Sequence, residues 1–155
     1  MATTLTCSAA QPGVQPRANY EGVTYAYFKH TGTTALSASD VVLLCKIPTK
    51  ATVLDCMIRV GHKADTQATV SFFLATDGNG SASSIASFGT QVLSATGGSV
   101  LFRPTTASLW APTRISVSDD AALQYAFVKS GIAAGTVTTS YSVNGYVLYT
   151  MNEPD

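Results

Sequence analysis

The side chains able to do chemistry are few and scattered. His30 and His62 are the only histidines, and histidine is the residue best suited to proton transfer near neutral pH. Neither stands in an HxH, HExxH or CxxC context. His62, between Gly61 and Lys63 at the end of a strand-like run, reads as a structural loop histidine. Asp119-Asp120 is the one adjacent carboxylate pair. Neighbours along a strand point to opposite faces and cannot share a proton, so the pair reads as a turn. A calcium site built from Asp77, Asn79 or the Asp119-Asp120 pair is the alternative, but the D-x-N spacing lacks the glutamate that an EF-hand demands further on. Asp77-Gly78-Asn79-Gly80 reads instead as a tight turn, because Asp-Gly and Asn-Gly tolerate positive φ. Cys7, Cys45 and Cys56 make an odd count without a CxxC, so neither a disulfide framework nor a zinc site is expected. Cys45 and Cys56 sit in apolar runs and read as buried thiols, in a chain made in a reducing compartment. The sequence contains no GxSxG elbow, phosphate-binding loop or GxGxxG. An enzyme, a cofactor and a bound metal are all unexpected. Tyr20, Tyr25, Tyr27, Phe28, Tyr141, Tyr146 and Tyr149 crowd the two ends of the chain. Core or oligomer packing and an exposed sugar-binding platform would both use them.

The elements that must position these residues are strands. The chain has 155 residues, enough for one domain and one core. Charged residues are 12%, against about 25% in ordinary soluble domains. Thr, Ser, Ala and Gly fill the gap, a bias of short-stranded β proteins. Nine basic residues balance nine acidic ones, so there is no electrostatic reason to bind nucleic acid. A mean hydropathy of +0.21 argues against disorder. The longest apolar run, Val41–Cys45, is far short of a membrane helix. Met1–Leu5 lacks the charged and apolar regions of a secretory signal. So few charges suggest a surface covered by partners.

Residues 1–20 hold two prolines, little periodicity and one charge, Arg17. They read as an extended arm rather than a strand of the core, with an arm at 1–22 and a sandwich domain at 23–155. Val23–Lys29 and Val41–Ile47 are strand-like, and Pro48 ends pairing at its own position. From Ala51 to Gly61, Leu54, Cys56, Ile58 and Val60 form a wholly apolar face that should point inward. Val70, Phe72 and Leu74 do the same over Gln67–Thr76. Ser81–Ser99 suggests short strands and loops. Val100–Arg103, Thr113–Ser118 and Leu123–Lys129 are further strands. Gly131 and Gly135 flank a small-residue loop, and Asn144-Gly145 interrupts a long aromatic run from Val137 to Met151. Eight or so short strands without helical spacing predict an all-β antiparallel sandwich, jelly-roll-like, with an extended N-terminal arm.

Ser39–Cys56 resembles a pattern common in small virion proteins of tailed bacteriophages. A strand closes on an apolar-x-Pro turn, here Ile47-Pro48, and after Ala51 a strand of the form Val53-Leu54-Asp55 follows. Thr113-Arg114-Ile115 and Gly145-Tyr146-Val147-Leu148-Tyr149 are similar to the closing strands of such proteins. The resemblance, over residues 23–150, implies a head decoration (cement) protein. It would be a homotrimer in the virion, made in the host cytoplasm and bound outside the capsid, tying major capsid subunits together. No nucleic acid or membrane partner is implied. Pro12, Val14, Pro16 and Tyr20 are the candidate capsid contacts of the arm, which could add to another chain's sheet edge. Truncating residues 1–20 should then leave melting almost unchanged. Residues 1–28 contain one Arg and no Lys, unlike the basic arm of a coat protein that packages genome. The alternative function is a tail-fibre or tail-tip module that binds a receptor or glycan.

Overall fold

The computed structural model, which describes residues 4–11, 14, 22–48, 51–64, 66–75, 84–104, 125–137 and 140–151, has ten strands among them, several following the period-two alternation of apolar residues. The strands are β1 (Thr4–Thr6), β2 (Val23–Thr31), β3 (Leu36–Ser37), β4 (Val41–Pro48), β5 (Ala51–His62), β6 (Gln67–Ala75), β7 (Ser84–Leu93), β8 (Gly98–Phe102), β9 (Tyr125–Val137) and β10 (Ser142–Met151). One 3-10 turn, Ser8–Ala10, is the only helical element among the described residues.

The strands form two sheets. One runs β1-β4-β9-β6-β7, with β3 also on β9; the other runs β2-β10-β5-β8. Successive strands mostly change sheet, as β4 to β5, β5 to β6, β7 to β8 and β9 to β10 do. The result is a jelly-roll-like β-sandwich. The inner faces of both sheets close one core that includes Val42, Ile47, Ile58, Val70, Phe72, Val147 and Tyr149. Phe72 of β6 meets Phe102 of β8 across the layers, with ring centroids 4.6 Å apart. Gly89 sits beside the bulge that skips Phe88 at φ 125°, a backbone conformation that favours glycine.

The N-terminus differs from the expected extended arm. Residues 1–20 are not wholly an arm outside the core, because Thr4–Thr6 pair parallel with Val41–Leu43. Cys7 then donates its N–H to the Leu43 carbonyl at 2.8 Å, and its side chain lies in the core. Of the four proposed arm contacts, Val14 is described and exposed; Pro12, Pro16 and Tyr20 lie outside the described residues. So do Asp77-Gly78-Asn79-Gly80, Thr113–Ser118 and Asp119-Asp120.

Other departures have local causes. Cys56, Ile58 and Val60 point inward as expected, but Leu54 is exposed and Val53 is buried. The register against β10 steps from Asp55 to Val53, so a bulge at Leu54 inverts the alternation. Ser84–Leu93, small and polar in composition, is one strand because β6 pairs along it. Gly131 and Gly135 are within β9 rather than around a loop, since β9 is paired on both sides by β4 and β6. Asn144-Gly145 does not interrupt β10. Gly145 is needed there because a Cβ would collide with the Met57 carbonyl of β5. His62 ends β5 and is buried, so it is not a loop residue.

Candidate functional site

The described residues contain no group of three or more His, Cys, Asp or Glu that could hold a metal ion. The two histidines have different surroundings. His62 Nε2 lies 3.0 Å from the Ser94 carbonyl oxygen, bracing the end of β5 against the turn after β7. His30, on β2, has its Nε2 buried without a hydrogen-bond partner, and burial lowers its pKa below the ordinary value of 6.5. The three thiols are buried and free. Burial pushes Cys7 up to about 12. It does the same for Cys56, with the Asp55 charge adding to the shift. Cys45 is raised further, by burial first and then by the charges that Cys7 and Cys56 would carry. A thiol held neutral in this way is a packing group and a poor nucleophile.

Contact surfaces are the more informative features, and the two sheets present them differently. The outer face of β4 is covered by the chain's own N-terminus. Ala10 packs with Val41 and Leu43 in a second, smaller apolar cluster. Beside it Lys46, only 3% exposed, donates from Nζ to the carbonyl oxygens of Gln11 at 2.7 Å and Val14 at 2.9 Å. Lys46 is thus a latch that ties the Gln11 and Val14 carbonyls to the sheet. Its sequence signal was a single cation inside an otherwise apolar strand. Asp40, also buried, caps the turn before β4: its carboxylate accepts from the Ser37 N–H at 2.7 Å and the Ser37 hydroxyl at 3.1 Å.

The outer face of the four-stranded sheet carries exposed large side chains among the described residues. Register places Tyr27, Tyr146 and Met57 in one row across β2, β10 and β5. Tyr25, Leu148 and Asp55 form the next row. Lys29, Asn144, Arg59 and Leu101 form a third, which reaches β8. Tyr25 and Tyr27 are 49% and 66% exposed. Their rings stack at 5.6 Å, and Tyr146 meets them edge-on at 5.6 and 6.3 Å. A shallow groove of about 640 Å³ runs along this cluster, lined by Ser8, Tyr27, Lys29, Asn144 and Tyr146 among others. Arg103 reaches the same face, its guanidinium 3.7 Å from the Met57 sulfur. The sequence therefore left the aromatics open between core and surface, and the structure divides them: Tyr141 and Tyr149 are core, while Tyr25 and Tyr27 are surface.

No family model and no curated protein matches the chain. Solved structures do match it. A chain from the capsid of Ralstonia phage GP4 aligns over 98% of this chain and 100% of its own length, at 16% identity and a TM-score of 0.72. A chain from the cyanophage Pam1 capsid asymmetric unit aligns over 92% of this chain and 99% of its own, at 21% identity and a TM-score of 0.48. A turnip yellow mosaic virus chain covers 98% of this chain at 12% identity and a TM-score of 0.35. The likeness is one of fold, and the first of these structures carries it.

Proposed function

We propose that this chain is a structural protein of a virus particle, a decoration or cement protein that binds the outside of a phage head and ties major capsid subunits together. One observation carries the reading. The fold matches, over 98% of this chain and the whole of the other, a chain that is part of a phage capsid. The proposed role needs no active site. It needs a rigid module with broad contact faces, and many copies on a symmetric lattice gain avidity from modest single contacts. The open tyrosine face and the balanced charge suit that role.

Exterior placement is tested by labelling intact particles with an amine reagent that cannot enter the shell. Lys63 is exposed and available to it. Labelling of this chain in intact particles is the expected result. Labelling only after the shell is broken would contradict the placement. The exposed tyrosines also favour a second reading, a tail module that binds a receptor glycan; a glycan array on which Tyr27→Ser abolishes binding would support it.

A further inference from the structure

We infer that the outer face of the β2-β10-β5-β8 sheet is where this protein docks, and that its occupant is an apolar patch edged with carboxylates on another protein. The inference rests on the function proposed above, under which the occupant is the outer surface of the major capsid subunits.

The face is apolar where a solvated sheet face should alternate to polar. Tyr25, Tyr27 and Leu101 are exposed, and Tyr146, Leu148 and Met57 are partly so. The opposite sheet shows how the chain treats apolar surface it must hide: the outer side of β4 is roofed by Ala10 and latched by Lys46. Among the described residues no such roof lies over the tyrosine cluster.

Size argues for a macromolecular surface. β2 and β10 run 9 and 10 residues. At about 3.3 Å per residue and four strands about 4.8 Å apart, the face offers roughly 600 Å², close to one side of a standard protein interface and far more than a short saccharide covers. Aromatic and arginine side chains are also those enriched where protein interfaces gain their energy.

Charge then selects the partner. Lys29, Arg59 and Arg103 border the cluster, with Asp55 as the one carboxylate in the described part of the face. The chain as a whole is balanced, so this excess is local. Two copies set face to face would bring cations against cations, which disfavours self-pairing here. A partner with carboxylates around an apolar centre would be complementary.

The test uses the full-length protein and capsid shells purified without it. Binding is measured by co-sedimentation for wild type, Tyr27→Ser, Arg59→Gln, Arg59→Glu and, as a control outside the face, Lys63→Glu. Tyr27 and Arg59 are exposed, so unchanged melting verifies that the variants fold. The expected result is saturable wild-type binding, about tenfold weaker for Tyr27→Ser and Arg59→Glu, less so for Arg59→Gln and unchanged for Lys63→Glu. Salt should weaken wild-type binding. Wild-type binding with all variants equal to it would overturn the docking face and leave the decoration role standing. No wild-type binding would overturn both. Loss of self-association in Tyr27→Ser, with shell binding intact, would assign the face to a second copy. Binding of a saccharide through Tyr27, with no shell binding, would assign it to a sugar.

Discussion

At the residue scale, three buried groups make the account testable. Lys46 satisfies the carbonyls of Gln11 and Val14 from inside an apolar strand. Lys46→Met keeps the length of the side chain and removes the donor. It should cost about 1–3 kcal/mol, the range for stranding buried acceptors, and should expose the chain at Gln11 to protease before the rest of the protein melts. His30 has its pKa lowered by burial. Its neutral form is favoured in the folded state, so the unfolded chain binds more protons once pH drops below about 6.5. Its contribution to stability is complete above that pH and declines as pH falls toward the lowered folded value. Melting temperature should therefore fall as pH drops below about 6.5, and His30→Gln should flatten that slope. Cys7, Cys45 and Cys56 are buried with raised pKa values. A thiol reagent at pH 8 should find almost none of them in the native protein and all of them after denaturation. Rapid native labelling would contradict the burial of the N-terminal segment first, since Cys7 lies there.

At the element scale, the N-terminus decides what truncation does. Thr4–Thr6 extend the sheet at β4, and Cys7 and Ala10 are 2% exposed. Removing residues 1–11 uncovers Val41, Leu43 and Lys46 and should lower the melting temperature by several degrees, contrary to what an arm reading of residues 1–20 implies. Unchanged melting on that truncation would show that the pairing of β1 with β4 adds no stability. The same segment shows what the sequence could and could not disclose. The strands with clean alternation, such as Val70, Phe72 and Leu74, were legible because one face is buried and the period is two. β1 was not legible, because three residues carry no period and its partner, β4, begins more than thirty positions away. Bulges were equally hidden: nothing in Val53-Leu54-Asp55 announces that Leu54 turns outward, since the bulge is imposed by register with β10. The tyrosine face was half legible. Tyr25 and Tyr27 share a face by spacing alone, but Tyr146 and Met57 join them only through pairing across β10 and β5.

At the scale of the whole molecule, the two sheets divide the work. One seals its outer side at β4 with the chain's own N-terminus, and the other keeps a broad aromatic face with a cationic border. A low overall charge is consistent with such a division, because surface meant for contact carries fewer charges than surface meant for water. The jelly-roll-like fold is matched along its length by a chain from a phage capsid; under the proposed function the chain would be used in many identical copies. A tail or neck component with the same fold would be used in few.

Copy number therefore tests the central claim most directly. Under the proposed function, particles of the phage encoding the chain would be purified, and this chain quantified against the major capsid protein by mass spectrometry. A decoration protein should be present on the order of hundreds of copies per particle, in a fixed ratio to the capsid subunit, as a symmetric lattice requires. A count between three and a few tens would place the chain in the tail or neck, and absence from the particle would contradict the structural role altogether.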